Sequence, residues 1–517
     1  MAKPEAVDTA RDRPKDTGLI GRWASAKRGN AVVGSIYFAV LALVSSALGT
    51  WTDEEYTLAT TAHGFAYGWH RAIDVELQAP LYFAVLGVWR ELDAGVWFAR
   101  LFSVLCSTAF FFALLPILRR IAPNKSPTVP ALLIACNPFV IYCAFDIRLY
   151  AAALLISALM WLTFDSGFAS DGSKLGRVAF CILAVLGLYT QYFLGFALVG
   201  FGVMLLFKKK WSALRDYAIA LAAIGLTAIP LLSIVRSQVG GSGETTAGAA
   251  SLIRGTFVQS LLNFVLPYDH IWDRFHLRTP YVVLIVAIIV LVVYARPRLQ
   301  PILGATVACV VAMEMLFVAV VLVFHLDLNS RHYVALFVPA LISGYALVTT
   351  LEASQHRRIA TIIAWSYGVL ALTLVYAQHF QLAQDGDTVR VAEYLETRTP
   401  PGAIVAVFPA DALPAYARQY HGSARLVPFP RALPDGRYDL SQIDANSEAE
   451  VSHALAAYGS TRPIWLVMLG LCDDGGFQYG CGNVLASVAD DTQVLSERLF
   501  YKSRVLELRV KPTKASP

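Results

Sequence analysis

Between Ala31 and Thr50 the chain carries no charged side chain, over a length that lets a helix cross a ~30 Å hydrocarbon core. Comparable runs recur as far as Tyr376, and 56% of the 517 residues are apolar against 15% charged. A backbone inside lipid must satisfy its own hydrogen bonds, which leaves helices or closed barrels, and these runs have helical length. The chain therefore reads as an α-helical polytopic membrane protein whose first partner is the bilayer; nothing in it marks a nucleic-acid binder. The opening run lacks the short apolar core and small-residue cleavage site of a signal peptide, so it is expected to stay as an anchor.

Lysine placement predicts the topology. Before the far C-terminus lysines occur only at Lys3, Lys15, Lys27, Lys125, Lys174 and Lys208 to Lys210, in the N-terminal tail or in short loops that also hold Arg119, Arg120, Arg177 and Arg215. Arg296, Arg298, Arg357 and Arg358 form two further basic turns. Positive loops stay cytoplasmic, which puts all of these on one side. About eleven spans satisfy that rule: Ala31–Thr50, Trp97–Leu118, Thr128–Phe145, Leu149–Phe164, Val178–Tyr192, Phe193–Phe207, Leu214–Val235, Pro280–Ala295, Pro301–Phe324, Tyr333–Leu351 and Ile359–Tyr376. The N-terminus is then cytoplasmic and the C-terminus outside. Residues 1–30 form a basic tail, 31–378 the transmembrane domain and 379–517 an outer domain.

The first outer loop, 51–96, opens on Trp51-Thr52-Asp53-Glu54-Glu55-Tyr56. Counting Leu81 to Trp89 as a span would invert every later loop, so Pro80 to Arg90 is expected to be an interfacial helix, with Pro80 suited to its first turn. Arg71, Arg90, Arg100, Arg148, Arg236, Arg254, Arg274, Arg278 and Arg331 also fall on the outer side, where lysine is absent. A guanidinium is the better fork for phosphate oxygens, although an arginine at a helix end also serves as a snorkelling anchor. An acid, several arginines and aromatics at one face suggest chemistry on an anionic, lipid-carried substrate.

The order of Asp53-Glu54, Gln78-Ala79-Pro80-Leu81-Tyr82, Arg148-Leu149-Tyr150, Leu188-Tyr189-Thr190-Gln191-Tyr192-Phe193 and Ser330-Arg331-His332-Tyr333 resembles the GT-C superfamily. More narrowly it resembles the protein O-mannosyltransferase and lipid A aminoarabinose transferase group of bacterial membrane glycosyltransferases (families 39 and 83), over roughly Ala31 to Leu351. The resemblance implies a GT-C fold and transfer of a sugar from a polyprenyl-phosphate carrier to a hydroxyl acceptor at the outer face of the bacterial inner membrane. The acceptor would be an envelope glycolipid, lipopolysaccharide, polysaccharide or protein. Asp53 would be the base, with Glu54 its closest competitor. Arg148 and Arg331 would clamp the donor phosphate, Tyr150 and Tyr333 would line its site, and Gln78, Tyr82, Gln191 and Tyr192 would meet substrate. Arg254, beside a glycine-rich loop from Gln238 to Ala250, is a further candidate to meet phosphate as that loop orders over substrate.

The sequence departs from the family twice: Gln78-Ala79-Pro80 stands where His-Pro-Pro is common, and Gln191 where histidine is common in Tyr-Thr-His-Tyr. Glutamine cannot titrate and is a poor divalent-metal ligand, which weakens a histidine-held metal. No cofactor is required by this reading, no metal ligand is assigned, and divalent-metal dependence stays open. The acidic and histidine-bearing patch Tyr268 to His276 reads as a polar interfacial segment, because no strong ligand spacing occurs there. Two other functions fit outer arginines as well: a transporter or flippase of an anionic lipid-linked sugar, and an oligosaccharide ligase or polymerase.

After Tyr376 charges and turn residues become frequent. Short β-type runs at Ala403–Phe408, Ile464–Leu469 and Val505–Val510 alternate with helical stretches around Thr388–Arg398, Leu413–Tyr420 and Glu448–Tyr458. This predicts a soluble C-terminal α/β domain. Five of the seven cysteines lie in or beside apolar runs as packing residues, while Cys472 and Cys481 flank a glycine-rich stretch and can pair in an oxidising periplasm.

Overall fold

The structure is a computed structural model that describes residues 17–170, 172–241, 248–265, 301–326, 328–352, 357–379, 386–433, 440–459, 462–469 and 478–512. The expected span Pro280–Ala295, the patch Tyr268 to His276, residues 242–247 of the glycine-rich loop and Cys472 lie outside the described residues.

Helices dominate up to residue 379. α1 (Thr17–Ser45) exposes Val32, Ile36, Val40 and Leu43 at helical spacing, an apolar stripe suited to lipid. Around it stand α2 (Thr52–Thr60), α3 (Gly64–Arg71), α4 (Leu81–Arg90), α5 (Val96–Ile121), α6 (Thr128–Ala135), α7 (Pro138–Phe145), α8 (Tyr150–Phe164), α9 (Lys174–Thr190), α10 (Gly195–Phe207), α11 (Trp211–Ala228), α12 (Leu231–Gly241), α13 (Ala249–Val265), α14 (Pro301–Phe324), α15 (Val334–Glu352) and α16 (Arg357–His379). One continuous core joins them, with Phe110, Phe139, Phe164, Phe201, Phe317 and Phe337 fully buried.

Among the described residues five helices are long and apolar enough to cross a membrane: Arg28–Ser45, Val96–Ile121, Tyr150–Ala169, Leu303–Phe324 and Ser330–Glu352. Two bent pairs raise the number to seven. The expected span Thr128–Phe145 is one of them, broken by 62° between α6 and α7. Asn137 causes the break: its side chain caps the Phe139 N–H at 2.8 Å, and Pro138 cannot extend the preceding helix. The expected span Leu214–Val235 likewise bends by 65° between α11 and α12, at Pro230. The eleven expected spans thus include broken and short helices, which a charge-and-hydropathy reading treats as straight rods.

Pro80 is indeed followed by a short helix, α4, packed on α3. Gly68 lies so close to the Phe83 carbonyl that a Cβ would stand 2.8 Å from its oxygen, and Gly87 lies equally tight on Gly64. Small residues at the crossing let the two backbones meet.

Beyond residue 386 a five-stranded mixed sheet forms: β1 (Ile404–Phe408), β2 (Arg425–Pro428), β3 (Ile464–Leu469), β4 (Thr492–Phe500) and β5 (Ser503–Val510), in the order β2-β1-β3-β5-β4. β1 runs parallel to β2 and β3, with Val405 opposite Trp465, and β5 runs antiparallel to β3 and β4. The near-continuous apolar runs of β1 and β3 suit strands buried on both faces. Val405, Val407, Trp465 and Val467 pack on α17 (Thr388–Arg398) and α18 (Leu413–Gln419). Their alternates Ala406, Phe408, Leu466 and Met468 pack on α19 (Glu448–Ala457) and α20 (Cys481–Asp491). Three layers result. The protein is therefore a polytopic helical membrane protein carrying a C-terminal α/β domain.

That domain is seated on the chain between α1 and α2. Thr388 Oγ1 donates to the Thr50 carbonyl at 3.0 Å, and Gly49 lies against Thr388 and Val389.

Candidate active site

α2 places three successive carboxylates, Asp53, Glu54 and Glu55, in its first turn, where the unpaired N–H groups and the helix dipole favour negative charge. Neighbouring residues on a helix point about 100° apart, so the three acids cannot share a partner. Each meets a different arginine.

Glu54 turns inward. It is completely buried and forms a forked pair with Arg100 of α5, at 3.0 and 2.9 Å. Arg100, 1% exposed, also donates to the carbonyls of Ser45, Leu48 and Gly49, and the Ile147 N–H donates to Glu54 Oε1 at 2.9 Å. Burial pushes the Glu54 carboxyl up, opposed by Arg100 and by these N–H groups. Glu54 therefore clasps the end of α1, α5 and the 146–148 segment together, and its reach to a substrate is closed. Glu54, the closest competitor of Asp53 as base in the sequence reading, is thus buried against Arg100.

Glu55 turns to the C-terminal domain, where Arg418 of α18 grips it through two bonds of 2.5 and 2.6 Å.

Asp53 is the acid on the open side, 24% exposed. Arg331 Nη1 donates to its Oδ2 at 2.8 Å, and Arg148 Nη2 stands 3.9 Å from the same oxygen. Arg331 is 23% exposed, and its guanidinium lies over the Trp51 ring at 5.5 Å. Arg148 is nearly enclosed: it donates to the Asp53 carbonyl at 3.2 Å and to Thr57 Oγ1 at 3.0 Å, and it faces Glu76 at 3.5 Å. Burial works against the charge of Arg148, yet Asp53 and Glu76 raise its pKa on balance. Thr60 donates to Glu76 at 2.8 Å, and burial nevertheless raises the Glu76 carboxyl. Asp146 is buried behind this layer, where Trp51 Nε1 donates to it at 3.2 Å; burial, followed by the Glu54 charge, lifts its pKa well above the ordinary range.

The structure thus brings Asp53, Arg148 and Arg331 together from three distant stretches of chain. Tyr150 is buried beside Arg148 and Arg331, and Tyr333 is buried with its ring against Phe317. Gln78 is half-buried at the end of the turn after α3, where its N–H donates to Ala72. Tyr82 is buried between Phe83 and Phe102, Gln191 is buried at the break after α9, and Tyr192 packs on Phe193. Arg254 is exposed on α13, a helix that packs against the Ser330–Tyr333 turn carrying Arg331. Arg90, one of the arginines expected on the outer side, ties α4 to α2 through the Leu58 carbonyl and Thr61. Cys481 is disulfide-bonded, while Cys106, Cys136, Cys143, Cys181 and Cys309 are free.

Glu76, Asp146, Asp411 and Arg418 escaped the sequence reading as site residues. For Arg100 a signal existed: a lone arginine in the apolar run Val96-Trp97-Phe98-Ala99-Arg100-Leu101-Phe102 demands a buried anion. Among the described residues no group of three or more His, Cys, Asp or Glu side chains is placed to hold a metal ion.

No protein-family model matches the chain, and no curated protein does. Among solved structures it is similar to ArnT from Cupriavidus metallidurans in the apo state, at 15% identity and a TM-score of 0.48, over 93% of this chain and 98% of that one. ArnT bound to undecaprenyl phosphate gives 13% identity and the same TM-score and coverage. The Archaeoglobus fulgidus oligosaccharyltransferase in complex with Zn and sulfate follows at 11% identity and 0.43, over 89% of this chain and 71% of that one. Likenesses this distant say nothing about reaction or substrate.

Proposed function

We propose that this chain is an integral membrane glycosyltransferase of the GT-C type, moving a sugar from a polyprenyl-phosphate carrier to a hydroxyl acceptor at the periplasmic face of the bacterial inner membrane. The observation that carries the reading is the accessible Asp53 carboxylate held by Arg331 and backed by the enclosed Arg148. A donor phosphate competes with Asp53 for Arg331, since guanidinium binds phosphate and carboxylate through the same fork. Phosphate binding draws Arg331 away and leaves Asp53 to accept the acceptor's proton. The acceptor oxygen then bonds to the anomeric carbon as the carbon–phosphate oxygen bond breaks. The electron pair leaves on the phosphate, whose charge the arginines stabilise, and the proton ends on Asp53. Direct displacement of this kind inverts the sugar.

Arg148 contributes from behind, by fixing the backbone of Asp53 and the hydroxyl of Thr57. The test is binding of undecaprenyl phosphate to the purified protein in nanodiscs. Arg331→Lys keeps charge but loses the fork, so affinity is expected to fall by about tenfold or more, on the scale of a charge-assisted hydrogen bond. Undiminished binding by Arg331→Lys would place the phosphate elsewhere and leave Arg331 a membrane-edge anchor.

A further inference from the structure

The charge of Asp53 reaches a carboxylate that comes from the other half of the molecule, that of Asp411. Asp411 sits in a single tight turn, Ala410–Ala412, between β1 and α18, and is only 5% exposed. Its Oδ1 has no hydrogen-bond partner among the described residues. Buried polar atoms are rarely left so, and an orphaned one invites a ligand as its explanation. The position is set on both sides. α18, the next element, is pinned to α2 by the Arg418–Glu55 fork, and Glu55 is two residues from Asp53.

Among the described residues, acids and phenols surround Asp411, and Arg331, whose charge also reaches Tyr479, is the partner of Asp53. The charge of Asp53 acts on Asp411, and both acids act on Tyr56 of α2 and on Tyr479 of the C-terminal domain. Among the elements packed against its turn, β1 carries no charge, Arg418 of α18 is spent on Glu55, and Arg425 of β2 pairs with Ile404 at the far end of the strand. The other acids of α2 have arginines, so Asp411 is left to accept a hydrogen bond from something that arrives.

Resting on the transferase reading above, we propose that Asp411 is an acceptor-binding residue: it accepts a hydrogen bond from a hydroxyl of the incoming acceptor and holds that molecule beside Asp53, so that the C-terminal domain forms one wall of the active site. The donor phosphate lies on the arginine side of Asp53 and the acceptor on the Asp411 side. A polyhydroxylated acceptor, such as a sugar ring of an envelope glycolipid, offers one hydroxyl to each carboxylate. Burial and then the charge of Asp53 push the Asp411 carboxyl up to about 7. Ionised above that value, it accepts a hydrogen bond; protonated below, it does so less well, and acceptor binding is expected to weaken as pH falls through 7.

The test uses the full chain in nanodiscs and varies the acceptor: envelope glycolipid extract, with release of undecaprenyl phosphate from an undecaprenyl-phosphate sugar as the readout. Asp411→Asn is expected to raise the half-saturating extract concentration about tenfold or more, the scale of one hydrogen bond to a charged group. The maximal rate should change less than that, undecaprenyl phosphate binding should be unaltered, and the half-saturation should lose its pH dependence near 7. Asp411→Glu should restore part of the loss. Transfer with unchanged half-saturation in Asp411→Asn overturns this assignment alone. Loss of undecaprenyl phosphate binding in Asp411→Asn also overturns it, showing a role in holding the fold. If the unaltered chain transfers no sugar from a panel of donors, the transferase reading fails and this assignment fails with it.

Discussion

Two adjacent acids, Asp53 and Glu54, look interchangeable as letters and are not interchangeable as groups. A rotation of about 100° separates their directions, and that rotation sends Glu54 into the core and Asp53 to the open face. Replacing Glu54 by glutamine strands the buried Arg100 charge, and breaking such a pair typically costs about 3–5 kcal/mol. Glu54→Gln is therefore expected to lower the unfolding temperature and the folded yield in detergent, whereas Asp53→Asn should unfold like the unaltered chain. Equal thermal stability of Glu54→Gln and the parent would contradict the clasp. The sequence made Asp53, Arg148 and Arg331 legible as candidates because residue type, order and side of the membrane all agreed. It left Glu76 and Asp411 unread, because an acid in a loop is normally solvated and only its enclosure by distant chain makes it otherwise.

At the scale of elements, the short helix α2 is the hinge pin between the membrane part and the sheet domain, with Glu54 facing one and Glu55 the other. The Arg418 side of the outer pair is 42% exposed and the Glu55 side 7%, so the bond sits at the edge of the joint. Arg418→Ala is expected to leave each part folded but to loosen the joint. Amide exchange in α2 and α18 should quicken, and transfer should fall more than undecaprenyl phosphate binding does. Unchanged exchange in both helices would mean that the Thr388–Thr50 contact alone seats the domain. Periodicity and turn chemistry made most elements legible, including the apolar strands β1 and β3 and the helices α17 and α19. The strands it missed have reasons: β2 is four residues long and contains Pro428, and β4 leaves most of its side chains exposed, so it carries little apolar signal. The breaks at Asn137 and Pro230 were written in the sequence as caps and breakers, but hydropathy over a long window averages them away.

For the whole molecule, composition announced a helical membrane protein with soluble mass at its end, and that is the architecture. What composition could not announce is the closure between the two parts: a five-stranded domain set on the chain that follows α1, with Arg418 on Glu55 and Asp411 within electrostatic reach of Asp53. Contacts between residues some 360 positions apart, such as Arg418 with Glu55 at a sequence separation of 363, leave no periodic trace in either segment. Asp53 is proposed as the proton acceptor in a reaction on a phosphate-linked lipid sugar, and one measurement reaches that role. Purified protein in nanodiscs is incubated with a panel of undecaprenyl-phosphate and undecaprenyl-diphosphate sugars plus envelope glycolipid extract, and undecaprenyl phosphate release is followed. The expected result is turnover of a monophosphate-linked donor that falls by ~10²–10⁴ in Asp53→Asn, as for loss of a general base, with undecaprenyl phosphate binding retained. Turnover by Asp53→Asn at the rate of the unaltered chain, or turnover of no donor in the panel, would contradict the account.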